Sequence, residues 1–392
     1  MEDKMKIVGI ITEYNPFHNG HKYQIEYAKK KLMADCVIIA MSGSFTQRGT
    51  IAAFDKYTRA QAALKNGADI IFEIPTIFAT ASAKEYAACA TNLLASTKIC
   101  DTLLFGSETE DINLLEKYAK AEIDFENDSI KSDDFKRLIS MGNTFSKARA
   151  LFIKEKYKIE LSNEPNDILA TEYINAILKN NYDLSYTNIK RINNSYNSNE
   201  LSGAISSATS IRQALKENNS IDFCVPENTK YNKNLFIDFD DISNILYLKL
   251  ISEGDYTKYA DISTDLSNKI KNNLSSYISF SQYCDLLKSK DITYSRISRA
   301  LCHILLNITK EEFDAAQKNN YNNKLRLLGI NENGSKFLSN IKQNSPLEII
   351  TKPDNITDKI DIYASEILRI LQITKTNSSI PNEYTRKFLK EK

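Results

Sequence analysis

Along the first 110 residues the hydrophobic pattern alternates between two periods. Residues 6–12 are a short, β-rich apolar run, as in a strand buried on both faces. From about Gly20 the apolar positions move to helical spacing, with Ile25, Ala28 and Leu32 on one face. Residues 36–41 form a second buried run that stops at Ser42-Gly43-Ser44, and residues 54–66 are helical up to Gly67, a good helix terminator. Residues 69–74 predict a third strand broken by Pro75, residues 84–96 a helix, and residues 102–105 a fourth strand ending at Gly106. This alternation predicts an α/β fold built on an open parallel sheet. Helical signals return over residues 135–178, and residues 193–199 read as a polar loop. Beyond Pro226 the pattern is of helices separated by Asn-, Gly- and Pro-containing turns, so a sheet domain over 5–220 and a mainly helical domain over 226–392 are expected.

Composition narrows the class. Fifty-one basic against fifty acidic residues leave a net charge of +1, which excludes a protein that binds nucleic acid through overall charge. Residues 1–9 carry charges and no apolar stretch of signal-peptide length, and no run approaches the ~20 residues of a membrane span. The six cysteines form no CxxC pair and no zinc spacing. A cytoplasmic, reducing setting without a structural metal is expected. Six of the eleven glycines fall within the first 106 residues, mostly after strands, at the edge where open α/β sheets bind ligands.

The sharpest chemical feature is Thr12-Glu-Tyr-Asn-Pro-Phe-His-Asn-Gly-His21, between the first strand and first helix. A helix start offers unpaired N–H groups and a positive dipole end to an anion. Two imidazoles beside it can donate to a phosphate whose charge grows in a transition state. The third histidine, His303, stands among apolar neighbours and reads as a core residue.

His18-Asn-Gly-His21 resembles the HxGH signature of the nucleotidyltransferase superfamily, with its Rossmann-like HIGH-type sheet, and Ile205-Ser-Ser-Ala-Thr-Ser-Ile-Arg212 resembles the second signature, with Ala208 as one extra residue. Together with Phe45-Thr-Gln-Arg-Gly49, Asp69-Ile-Ile-Phe-Glu-Ile-Pro75, Phe105-Gly-Ser-Glu108, Pro165-Asn-Asp-Ile-Leu169 and Ile189-Lys-Arg-Ile192, they resemble the bacterial tRNA(Met) cytidine acetate ligases. That resemblance implies an enzyme that uses Mg2+-bound ATP and acetate to make acetyl-adenylate, then acetylates N4 of the wobble cytidine, position 34, of elongator tRNA(Met).

Carried over residue by residue, it implies catalytic roles for His18, His21, Ser207 and Arg212. The ATP-binding set it implies comprises Ile11, Thr12, Glu13, Tyr14, Asn15, Pro16, Phe17, His18, Asn19, Gly20, His21 and Gln24, with Gly106, Asn166, Arg191, Ser206 and Thr209. RNA contacts are expected from Arg48, which follows the second strand, and from Arg296, Arg299, Lys324 and Arg326 in the C-terminal half. Lys56 and Glu73 stay open between site and scaffold. The rival classes are an adenylyltransferase for a small phosphorylated cofactor precursor and a non-catalytic RNA-binding protein on the same fold. About 170 residues beyond a compact α/β domain speak against the first, and the intact histidine pair speaks against the second.

Overall fold

The computed structural model describes residues 5–128, 132–191, 205–354 and 358–392; the polar loop expected at 193–199, Ile192 and residues 1–4 lie outside them. Strands β1 (Ile7–Thr12), β2 (Cys36–Ser42), β3 (Ile70–Ile74), β4 (Thr102–Ser107) and β5 (Ser185–Lys190) pair in parallel in the order β5-β4-β1-β2-β3. The chain moves outward from β1 to β3, then returns to place β4 on the other side of β1. That reversal makes a crevice at the carboxyl ends of β1 and β4. The crevice also opens there: β4 is paired with β1 only at Val8–Thr102 and Gly9–Leu103, whereas its pairing with β5 runs on to Ser107–Lys190.

Both faces of the sheet are covered, which is why its strands read as continuous apolar runs. Val8, Ile10, Val37, Ile39, Met41 and Leu104 pack under helices Asn19–Lys30 and Lys56–Lys65. Ile11, Ile38, Ala40, Phe72, Leu103 and Phe105 pack under helices Ala83–Ser96 and Pro165–Asn180. The second cluster continues without a break into helices Ser243–Ser252, Phe280–Leu287 and Tyr294–Leu306. All six cysteines are free and buried. Among the described residues no helix is long and apolar enough to cross a membrane.

The C-terminal half is mainly helical, as expected, yet it also extends the sheet. Strand β6 (Lys324–Asn331) runs antiparallel to β3, with β7 (Glu348–Ile350) and β8 (Leu389–Glu391) parallel along its outer edge. The expected parallel sheet is therefore mixed at this end, and its hydrogen bonding crosses the boundary expected near Pro226. A buried ion cluster joins the halves. Lys56 Nζ lies 2.8 Å from both Glu73 oxygens and 3.0 Å from Glu383 Oε2. Arg326 Nη2 approaches the same Glu383 at 3.5 Å, and Tyr57 donates to it at 3.2 Å. Burial alone would push the Lys56 ammonium down, but Glu73 and Glu383 hold it above its ordinary value.

This cluster resolves Lys56 and Glu73 as scaffold, and it corrects the expectation for Arg326. That side chain is buried against Glu383 in an interior strand, with only 10 % of it exposed to an RNA partner. Lys324 is ion-paired to Asp358 at 2.7 Å and only 17 % exposed. Glu383→Ala would leave buried Arg326 without its carboxylate and Lys56 with Glu73 alone, and breaking such a pair costs about 3 kcal/mol or more. Urea unfolding of the variant is expected to show that loss.

Candidate active site

The loop after β1 is shaped from below. Arg59, on the helix following β2, is fully buried and spends its guanidinium on main-chain carbonyls. Nη1 donates to Glu13 O at 2.5 Å and Ser42 O at 3.0 Å, Nη2 donates to Gly43 O, and Nε donates to Phe54 O at 3.0 Å. The carboxyl ends of β1 and β2 are thus fixed on one rigid fork. Asn15 extends the tie, its Oδ1 accepting from Ala53 N–H at 2.7 Å. Tyr14 has φ +48, a left-handed turn held by packing of its ring on Phe17 and His21, with centroids 4.8 and 4.7 Å apart. Glu13 Oε1 accepts from Gln47 N–H at 2.9 Å, bringing in the loop after β2.

That geometry delivers the histidine pair. His18 is the N-cap of helix Asn19–Lys30, and its Nδ1 accepts from Gly20 N–H at 3.1 Å. The His18 N–H in turn approaches His21 Nδ1 at 3.3 Å. With both Nδ1 atoms accepting, the proton of each neutral ring is assigned to Nε2. The rings stack with centroids 3.7 Å apart. Burial, reinforced by the charges of Arg191 and Arg212, pushes His18 down to about 3; burial, His18 and Arg191 push His21 well below its ordinary value. Both imidazoles are therefore neutral N–H donors, and the arginines supply the positive charge. Gly20 is required here, because a Cβ would lie 2.9 Å from His18 Cε1.

The second motif closes over the first. Ser207 caps helix Ala208–Lys216, its Oγ accepting from Ser210 N–H at 3.1 Å. Arg212 reaches across to Asn15 O at 2.7 Å and donates to Thr209 Oγ1 at 3.1 Å. Asn19 N–H donates to Cys224 O at 2.9 Å, and buried Ser206 lies 3.3 Å from Cys224 Sγ. Two helix N-termini and Arg212 thus share one crevice.

Its other wall comes from β4 and β5. Arg191 Nη1 donates to Asn166 Oδ1 at 2.9 Å, and Asn166 Nδ2 donates to Glu108 Oε1 at 2.5 Å. A Cβ on Gly106 would crowd Arg191 Cγ at 3.3 Å. Gln24 donates to Leu104 O at 3.2 Å, just past the last paired residues of β1 and β4. The structure therefore brings together the expected Gly106, Asn166, Arg191, Arg212 and histidine pair from five separate stretches.

Arg59, Glu108 and Asp167 escaped sequence reasoning. Asp167 Oδ1 accepts from the N–H groups of Glu108 and Thr109, each at 2.9 Å, and orders the turn after β4. The one signal for Arg59 is its place among Ala60, Ala63 and Leu64 on a buried helix face.

On the rim, Gly49 (φ +71) docks the loop after β2 on helix Tyr294–Leu306: a Cβ there would lie 2.5 Å from Arg299 Cα, and Ser298 Oγ donates to Gly49 O at 3.0 Å. Arg48 and Arg296 are exposed on these two elements. The charge of Arg48 is felt by both Arg191 and Arg212. Arg299 is half-buried, with Nε 3.8 Å from Asp261. His303, on the same helix, is buried with ring nitrogens 3.1 Å from the carbonyls of Ala260 and Thr80, so it is a core residue, as expected.

A strand–loop–helix crevice with a neutral histidine pair and converging arginines has the make-up of the anion-binding sites of nucleotide enzymes. The chain belongs to the HIGH Nucleotidyl Transferase family, whose model matches residues 5–387. Its relatives include the tRNA(Met) cytidine acetate ligase of Clostridium kluyveri, 36 % identical over 92 % of this chain and 94 % of that one. The enzyme of the same name from a Thermoanaerobacter species is 37 % identical over 96 % and 97 %. Among solved structures, Thermotoga maritima TmcAL bound with alpha-thio ATP superposes with a TM-score of 0.85 at 25 % identity, covering 99 % of this chain and all of that one.

Gly20→Ala is expected to displace the His18 ring and weaken ATP binding by about tenfold or more, with an unchanged far-ultraviolet circular dichroism spectrum; titration calorimetry checks it. Acid should also destabilise the fold through this pair. Unfolded histidines protonate near pH 6.5, whereas the folded His18 stays neutral to about pH 3, so the unfolded chain binds more protons in that window. Unfolding free energy is expected to fall as pH drops from about 6.5, and His18→Asn to flatten that slope in urea titrations.

Proposed function

We propose that the protein activates acetate with ATP and transfers the acetyl group to N4 of the wobble cytidine of elongator tRNA(Met). The observation that carries this reading is the joining of both nucleotidyltransferase signatures by Arg212, which bonds to Asn15 O. The relatives' shared name supplies the acceptor and the acyl donor.

In the first step an acetate oxygen attacks the α-phosphorus, and the bond to the β-phosphate bridging oxygen breaks, giving acetyl-adenylate and pyrophosphate. The Nε2–H groups of His18 and His21 and the amides at the start of helix Asn19–Lys30 stabilise the charge on the α-phosphate oxygens. Ser207, Thr209 and Arg212 hold the departing pyrophosphate, and Mg2+ on the triphosphate would neutralise it. Arg191, positioned by Asn166 and Glu108, holds the nucleotide against Gly106. In the second step the cytidine N4 amine attacks the acetyl carbonyl, AMP leaves, and the amine loses a proton. Positioning and electrostatics carry both steps, with no covalent enzyme intermediate.

Arg48 and Arg296, on elements locked together by Gly49, form the rim along which the RNA backbone enters. Half-buried Arg299 supports that rim beside Asp261.

Acetate-dependent exchange of labelled pyrophosphate into ATP is the first test: it should vanish in His21→Ala and require a carboxylate. Equal exchange without any carboxylate would overturn this step, and exchange that instead requires a phosphorylated acceptor would favour an adenylyltransferase. A gain of one acetyl group on tRNA(Met), located at the wobble cytidine by mass spectrometry, tests the second step. Replacing Arg48 and Arg296 together by Ala should weaken tRNA binding and lower the slope of log K against log salt by about one or more, leaving pyrophosphate exchange intact.

A further inference from the structure

Away from the nucleotide crevice, helices Ile112–Asp128, Phe145–Tyr157 and Pro165–Asn180 line a separate cleft of about 320 Å3. That is the size of a small-molecule site. Two buried carboxylates, Glu122 and Glu172, line it beside Arg149, and the exposed Lys147 and Lys154 line it too, Lys154 paired to Glu160 at 3.2 Å. Arg149 Nη2 is committed to Glu122 Oε1 at 3.1 Å. Glu172 is nine-tenths buried and, among the described residues, makes no hydrogen bond or ion pair. The nearby Lys84 and Lys179 both bond to Glu126 instead. Burial and the neighbouring Glu122 push the Glu172 carboxyl up.

A mostly buried carboxylate that opens on a cleft and has no protein donor is left to the few waters that reach it, and a ligand that brings N–H groups can replace them. Among the described residues no group of three or more His, Cys, Asp or Glu side chains could hold a metal ion, so the pair lacks a metal's ligand set. Leu151, Leu161 and Ile168 give the cleft apolar lining. Donors at one end and methylenes beyond are the features of an alkylamine. We propose that this cleft is a second binding site, which takes a small alkylammonium ligand with its –NH3+ on Glu172 and its methylenes against Leu151, Leu161 and Ile168.

Titration calorimetry of the full chain with putrescine and with spermidine tests this. Saturable binding at one site is expected, weakened by about tenfold or more in Glu172→Gln. Ile168→Lys, at an exposed position one turn before Glu172, supplies a competing ammonium from the same helix and should abolish amine binding without cutting into the core. Affinity should rise from pH 6 to pH 8, because Glu172 must be ionised to hold the ammonium. The groups acting on it are Glu122 and Glu126 from one helix, Arg149 from the second and Lys84 from helix Ala83–Ser96. Absence of saturable heat with both amines, unchanged affinity in either variant, or affinity that does not rise with pH would overturn the proposal.

Discussion

Everything at the crevice hangs on one buried guanidinium. Arg59 donates its hydrogen bonds to the main-chain carbonyls of residues 13, 42 and 43, where β1 and β2 end, and of residue 54, just before its own helix. A buried cation is costly unless its donors are satisfied, and carbonyl oxygens satisfy this one without a salt bridge. Burial lowers Arg59 to about 10, which leaves it charged at neutral pH. The same helix start holds Asp55, bonded to Arg386, and Lys56, bonded to Glu73 and Glu383. One turn of helix thus fixes the site loops above it and the C-terminal segment beside it.

The site divides its electrostatic work by burial. His18 and His21 are stacked, desolvated and close to arginines, and those three effects all disfavour an imidazolium. The histidines therefore contribute directed N–H groups, while Arg191 and Arg212 contribute charge. Arginine suits that task, since even the burial that brings Arg212 down to about 10 leaves it protonated. A near-neutral chain can then concentrate positive potential in one cleft. The +1 net charge therefore leaves room for local basic surface, such as the exposed Arg48 and Arg296 beside the crevice.

Much of the catalytic half was legible in the sequence. Strands β1 to β4 are buried on both faces, so they appear as apolar runs with glycine stops, and the observed bounds differ from the expected ones by one or two residues. The histidine motif and the serine–arginine motif were legible because each couples chemistry to a helix start. Strand β5 was not, since Ser-Tyr-Thr-Asn-Ile-Lys lies at a sheet edge and is only partly buried. Strand β6 was not either, because Lys324, Arg326 and Gly329 interrupt its apolar pattern.

What the sequence by itself determined is local: which runs are buried strands, where helices begin, and which polar residues stand at those beginnings. The tertiary structure decided everything that depends on a distant partner. Arg326 reads as a surface cation until Glu383, far along the chain, neutralises it inside the sheet. Arg59 reads as an ordinary helix residue until the carbonyls of two strand ends converge on it. Charge is buried only where a counter-group or a set of carbonyls meets it, and no run of neighbouring residues records that meeting.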